Sequence, residues 1–407
     1  MSTAAQRMQV LVVGAGYAGA TAAVRLAGRA AGRVDVTVVN PRPGFVNRLR
    51  LHHVAVGQRV AAPALATMLG AGVWFVEGQV TDLGLDTGRA VVAGPGGPRT
   101  VRYDRLVLAT GSTTEVPVPG GEHAHAVGDI GAARRLRHAL DGVAAGADVA
   151  VVGGGFTGLE TVGELAEHRP DLRVRLVTAG EVGGWFPPRG AAHVRRTLAT
   201  LGVEAVGGRR VAAVEPDRVL LDDGDALPAA LMVWCGGFVA PSLAWNAGLA
   251  VDERGAVLTD TRLRSVTHDH VLAVGDAGHA PAPGGGRYSM SCQYAFPSAA
   301  HAADLLVAEA LGTPDTRPLD LGFTARVVSL GRHHAVLQPT DRRDTARGRA
   351  ITGRAALATK WFQVRGTVSA IGLERRFPGV VHWPHADAGD HADAGAVTPA
   401  VAAGSAS

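Results

Sequence analysis

The chain has almost no lysine and almost no cysteine. Lys360 is the single lysine among 40 basic residues, and together with the abundant alanine it reads as a coding preference for arginine, to which no chemistry is assigned. Cys235 and Cys292 are the only cysteines and form no close pair, which excludes a zinc ribbon and a redox centre of adjacent thiols. Sixteen histidines form no HExxH pattern, so no metal is expected, and His382, His385 and His391 read as parts of a solvated tail. No uncharged apolar run is long enough to span a membrane, and Met1–Gln9 lacks the apolar centre of a secretory signal. A cytoplasmic protein is the expectation. The basic residues carry no reading motif for nucleic acid, which is not expected as a partner.

What the chain has in quantity is glycine, 55 of its 407 residues. Two glycine-rich turns of one design stand 139 positions apart: Val10-Leu-Val-Val-Gly14-Ala-Gly16-Tyr-Ala-Gly19 and Val149-Ala-Val-Val-Gly153-Gly-Gly155-Phe-Thr-Gly158. In each, an apolar run reads as a buried parallel strand and the following residues carry helical spacing, over Ala20–Leu26 and Leu159–Ala166. The first glycine makes the tight turn, the second lets a pyrophosphate approach the backbone, and the third lets helix pack on strand. Free N–H groups at the helix start then face an anion. One such turn alone also fits an ordinary βα connection. A matched pair points to two bound dinucleotides.

The repeat continues past the turns. Val34–Val39 reads as a second strand ending at Asn40, 26 residues beyond Gly14, and Arg173–Val177 as its counterpart ending at Thr178, 25 beyond Gly153. At these ends the fingerprint calls for an acid that grips a ribose hydroxyl. Asn40 and Thr178 can still hydrogen-bond a hydroxyl, and neither repels a 2′-phosphate, so NADH and NADPH both stay open. Three more strands follow the same logic: Tyr103-Asp-Arg-Leu-Val-Leu-Ala-Thr110-Gly111, Leu231-Met-Val-Trp-Cys-Gly236-Gly237, and Val271-Leu-Ala-Val-Gly275-Asp276. Asp276 stands at the carboxyl end of its strand, where a parallel sheet meets its ligand crevice.

In this order the motifs resemble those of the two-dinucleotide-binding flavoproteins of the pyridine nucleotide-disulfide oxidoreductase superfamily, in their type II NADH dehydrogenase-like branch. The resemblance covers about Val10 to Pro384. It implies an α/β fold of two Rossmann-like domains, the second inserted in the first, with a smaller C-terminal region. It implies FAD on the first turn, with Asp276 on the ribityl chain, and NAD(P)H on the second, with Glu160 orienting the nicotinamide. Orientation of two bound reactants is itself a large catalytic term. Glu164, one turn further along, reads as exposed helix face.

Departures from the family pattern narrow the chemistry. The cysteine pair of the disulfide reductases is missing from Asn40-Pro-Arg-Pro-Gly-Phe-Val-Asn-Arg48-Leu-Arg50-Leu-His52-His53, which excludes that route. Arg48, Arg50 and His52 line the flavin pocket in one reading and a solvated loop in the other. In Ser291-Cys292-Gln293-Tyr294-Ala295-Phe296-Pro297, Gln293 matches the first glutamine of quinone-reducing relatives and Pro297 replaces the second. Cys292 reads as a buried thiol rather than a reactive one, and Cys235 as inert core.

The family layout gives an FAD domain from Met8–Pro119 and Leu249–Leu321, an NAD(P)H domain at Gly120–Gly248, a basic region at Gly322–Pro384 and a disordered tail from His385. Within the basic region Leu330–Leu337 reads as a strand. The net charge of +4 is uneven, because Arg317–Arg376 holds twelve basic and four acidic residues. Arg354–Arg365 suits an anionic membrane surface, but the expected reading packs Leu357, Trp361 and Val364 on the core with the cations in solvent. The function expected is an FAD-dependent NAD(P)H oxidoreductase that passes electrons to a quinone or another small acceptor. Its alternatives are reduction of a carrier protein such as ferredoxin, and a flavoprotein that acts by partner binding. Peripheral membrane contact and a homodimer stay open.

Overall fold

Valine-rich runs, buried on both faces, form the centres of two parallel sheets made from the same succession of parts. The computed structural model describes residues 7–282 and 285–385, which leaves all of the expected tail except His385 outside them. The first half runs β1 (Met8–Val13), α1 (Tyr17–Arg29), β2 (Val34–Asn40), α2 (Leu51–Ala55), β3 (Val73–Glu77) and β4 (Arg105–Leu108). The second runs β5 (Ala124–Ala126), β6 (Asp148–Val152), α3 (Phe156–His168), β7 (Arg173–Thr178), β8 (Glu204–Gly207) and β9 (Leu231–Trp234). The chain then returns through β10 (Val271–Ala273) and α4 (Cys292–Ala310) to the first sheet. It ends with β11 (Ala325–Leu330), β12 (His334–Pro339) and α5 (Arg354–Arg376).

Strand order is β10-β4-β1-β2-β3 in one sheet and β8-β7-β6-β9-β5 in the other. Every strand of the second sheet falls between β4 and β10 in sequence, so one Rossmann-like unit is inserted into the other. The halves correspond bond by bond. Gly14 N–H donates to the Val39 carbonyl and Gly153 N–H to the Val177 carbonyl, each at 2.8 Å. A three-stranded antiparallel sheet also interrupts each half at the same point, at residues 79–102 and 211–228.

Alanine gives the helices their close approach. Ala20, Ala22 and Ala23 of α1 and Ala299, Ala302 and Ala303 of α4 are fully buried in one cluster, so residues that carried no chemistry in the sequence serve packing. Arg25 of α1 is buried among them, with Nε 2.9 Å from Asp304 Oδ1 and Nη1 3.0 Å from Glu374 Oε1. This network fixes α5 to α1 and α4. Breaking one buried partner of such a set typically costs about 3 kcal/mol or more.

Two expectations fail in this region. Leu330–Leu337 is not one strand: Gly331, with φ of +72°, begins a turn that makes β11 and β12 an antiparallel hairpin. Helix α5 extends to Arg376; Leu357 packs on the hairpin core as expected and Val364 is half-buried, but Trp361 is 52 % exposed and Phe362 67 %, while Lys360 is buried. Glu160 of α3 offers Lys360 a carboxylate, and that charge pairing turns Lys360 inward against the hydrophobic preference of Trp361.

Candidate functional site

Both glycine turns answer the steric demands read from the sequence. A Cβ on Gly19 would lie 1.9 Å from the Gly14 carbonyl oxygen, and one on Gly158 would lie 1.7 Å from that of Gly153, so helix and strand touch only through glycine. Gly14 and Gly153 adopt φ of +101° and +122°, in the range that glycine tolerates best. A Cβ on Gly16 or Gly155, by contrast, meets nothing within 4 Å. These two residues occupy the N-cap positions of α1 and α3 with no side-chain cap. Each helix therefore opens onto free space with its N–H groups unclaimed by a cap, as a bound pyrophosphate requires.

The two strand-end residues have roles within the protein. Asn40 accepts the Ala15 N–H at Oδ1 (3.0 Å) and donates from Nδ2 to the Arg42 carbonyl (2.8 Å), so its amide braces the first turn. Thr178 packs under the second, where its Oγ1 would lie 2.2 Å from a Cβ at Gly154. That contact explains why a fourth glycine stands there, which the motif alone does not require.

A cavity of about 340 Å³ opens beside the first turn. Gly14, Gly16, Asn40, Arg48, Thr110 and Gly111 form one side of it, and Gly275, Asp276 and Gln293 another. Across from them the second half contributes Phe156, Thr157 and Glu160, from the first turns of α3. Gly19, Gly153, Gly155, Gly158 and Thr178 are not part of this wall. Arg48 and His52 line it; Arg50 lines a different cavity. Asp276 accepts a hydrogen bond from Ser112 Oγ at 2.6 Å, and Arg48 holds the same Ser112 through its carbonyl (2.5 Å) and Oγ (3.1 Å). Ser112 follows the Thr110-Gly111 turn directly, yet no sequence motif marked it.

Glu160 is buried beneath this cavity. Its Oε1 lies 2.6 Å from Lys360 Nζ and accepts the Ser329 N–H at 3.2 Å, while His52 Nδ1 is 3.8 Å from Oε2. Burial alone would push the carboxyl up, but Lys360, His52 and the Ser329 N–H together outweigh it and hold Glu160 below the usual carboxylate range. Burial also takes His52 down to about 3, which leaves it neutral. Glu164, expected on the exposed face, is instead buried: Gln58 Nε2 donates to its Oε2 at 2.6 Å. The hairpin and the α2 loop cover this side of α3, and helical periodicity cannot register cover that arrives from distant sequence.

Burial pushes the Cys235 thiol up to about 12 and the Cys292 thiol upward as well, so neither carries the low pKa of a reactive cysteine. Among the described residues, the one group with the spacing of metal ligands is His52, His53 and Glu164. Two of the three are already engaged, for His53 Nδ1 lies 2.8 Å from Gln58 Oε1, and Glu164 binds Gln58. No helix among the described residues is long and apolar enough to cross a membrane.

Comparison with known proteins agrees with this geometry. The family model of the pyridine nucleotide-disulphide oxidoreductases matches residues 8–302. An NADH dehydrogenase-like protein of Mycobacterium tuberculosis is 33% identical, over 81% of this chain and 87% of its own. A demethylphylloquinone reductase of Synechocystis is 23% identical over 87% of this chain and 90% of its own. The fold matches that of NDH2 from Plasmodium falciparum in complex with NADH, with a TM-score of 0.75 at 14% identity, covering 92% of this chain and 99% of that one. The chain belongs to the pyridine nucleotide-disulphide oxidoreductase family, and its cofactors are FAD and NAD(P)H.

Proposed function

We propose that the protein oxidises NAD(P)H and delivers the electrons to a quinone, or to another small acceptor of similar shape. The observation that carries this reading is a second, largely apolar cavity of about 340 Å³ that meets the first at Cys292, Gln293, Val327 and Gln363. Phe296, Pro297, Leu321, Leu337 and Trp383 give it the lining that a flat apolar ring needs. FAD supplies the two-electron relay between donor and acceptor.

The chain's residues divide the remaining work. Gly14, Gly16 and Gly19 with Asn40, Arg48, Thr110, Gly111, Gly275 and Asp276 hold FAD. Arg48 places a cation where negative charge develops. Gly153, Gly155, Gly158 and Thr178 hold NAD(P)H, and Glu160 orients the nicotinamide while keeping a carboxylate in reach of Lys360. Sheet membership supports an FAD domain of 8–119 with 249–321, an NAD(P)H domain of 120–248 and a C-terminal region of 322–384.

Pro297 removes the second glutamine of the family pattern, and Gln363 of α5 provides an amide in its place. It lines both cavities, and its Oε1 is buried without a hydrogen-bond partner among the described residues. An amide offers a donor to a quinone carbonyl and an acceptor to the hydroxyl that replaces it. The exposed Trp361, Phe362 and Phe377, with the Arg365 guanidinium 4.4 Å from the Trp361 ring centre, support contact with an anionic membrane surface from which such an acceptor is drawn.

Anaerobic mixing with NADH or NADPH tests the first half, since either coenzyme is expected to bleach the flavin band. An unchanged spectrum with both rejects the proposal. An acceptor screen then tests the second half: a soluble quinone is expected to restore the band faster than dioxygen does.

A further inference from the structure

A third cavity, of about 670 Å³, lies on the other side of His52 and Lys360, which line it as well as the first. Its walls carry Arg50, Arg332 and Arg365 besides Lys360, against one acid, Glu164. Glu164 is buried and already engaged by Gln58 at 2.6 Å, and Arg332 comes only to within 3.7 Å of it. Arg50 is half-buried and has no carboxylate partner among the described residues, which is unusual for a guanidinium removed from water. Of the two imidazoles on the wall, His52 is buried with Nε2 lacking any partner among the described residues. With Lys360 matched by Glu160, three guanidiniums still face Glu164 alone, and these with the orphan buried nitrogen describe a site short of negative charge. The same excess argues against a metal at His52, His53 and Glu164.

We propose that this cavity binds a compact polyanion bearing phosphate or carboxylate groups, gripped by Arg50 and Arg332 with Lys360 at its inner wall. Arginine suits the task, because its planar fork matches these oxyanions with two parallel hydrogen bonds. The site is distinct from the two glycine turns and does not depend on the electron acceptor.

The test is calorimetric titration of the FAD-loaded protein with inorganic pyrophosphate at fixed ionic strength. Wild type is expected to bind, and Arg50→Ala with Arg332→Gln to bind at least tenfold more weakly while keeping flavin colour and melting temperature. Gly155→Val separates this site from the coenzyme turn, and Arg134→Gln, on an exposed helix face elsewhere, controls for net charge. Pyrophosphate affinity unchanged in the double variant, or lost equally in Arg134→Gln or Gly155→Val, overturns the proposal. Vesicles of neutral and anionic phospholipid identify the source: a double variant that loses affinity for anionic vesicles as well as for pyrophosphate assigns a lipid headgroup, and one that loses only pyrophosphate assigns a free anion.

Discussion

Glu160 and Lys360, two hundred positions apart in sequence, form a buried ion pair of 2.6 Å with side chains 7 % and 10 % exposed. The only lysine of the chain is thus spent on a carboxylate that lines the cofactor cavity. Removing Lys360 leaves that carboxylate buried without its cation. Lys360→Met is expected to lose about 3 kcal/mol in denaturant unfolding at neutral pH, the usual cost of orphaning a buried charge. Glu160→Gln in the same chain should restore much of it. Because the folded carboxyl lies below the unfolded value of 4.5, the pair stabilises wild type above that pH and weakens as pH falls through the folded pKa. A Lys360→Met protein as stable as wild type would show that the pair contributes nothing.

His52 makes stability depend on pH over a milder range. Its unfolded value is 6.5 and burial takes the folded value to about 3, so below 6.5 the unfolded chain takes up a proton that the folded protein refuses. Stability therefore falls as pH drops from 7 to 5. For one such group the loss is about 2 kcal/mol. Other buried histidines add to the slope, so the informative quantity is the difference between wild type and His52→Gln. Parallel stability curves for the two proteins would contradict the neutral, buried state.

The glycine turns separate folding from cofactor binding. A Cβ at Gly16 or Gly155 enters open space, whereas at Gly19 or Gly158 it collides with backbone. Gly16→Val is expected to fold and purify colourless. Gly155→Val should stay yellow, with coenzyme affinity reduced at least tenfold. Gly19→Val should fail to fold. Circular dichroism with visible absorbance distinguishes the three, and a yellow Gly16→Val protein would place FAD elsewhere.

Exposed aromatic residues on α5 and at its C-terminal cap predict a surface affinity. Trp361, Phe362 and Phe377 are each more than half exposed, and Arg376 lies 5.7 Å from the Phe377 ring centre. Co-sedimentation with anionic vesicles is expected to fall at least tenfold for Phe362→Glu with Trp361→Ser, and melting temperature to stay near wild type. Equal sedimentation of both proteins would remove membrane contact from the account.

Much of the fold was legible because it rests on local pattern. Strand and helix limits around Gly14 and Gly153 follow from apolar runs meeting glycines, and the place of Asp276 in the cavity wall follows from the fixed position of a carboxyl-terminal strand end in a parallel sheet. Ser112, Ser329 and Gln363 were not found, since nothing in their neighbours marks them. Lys360 did carry a signal: it is the one position that departs from the chain's preference for arginine. Its meaning depended on knowing what lay opposite.

By itself the sequence determined the two dinucleotide cradles, their order along the chain and the absence of a cysteine pair, because these depend on backbone sterics and residue identity within a few positions. Tertiary structure alone decided that Glu160 and Glu164 are buried, that α5 turns Lys360 inward and Trp361 outward, and that the cofactor cavity meets one neighbour at His52 and Lys360 and another at Gln293. Those outcomes depend on electrostatics and packing between segments as far apart as α3 and α5. Such energies are set by distance in space, which separation along the chain does not encode.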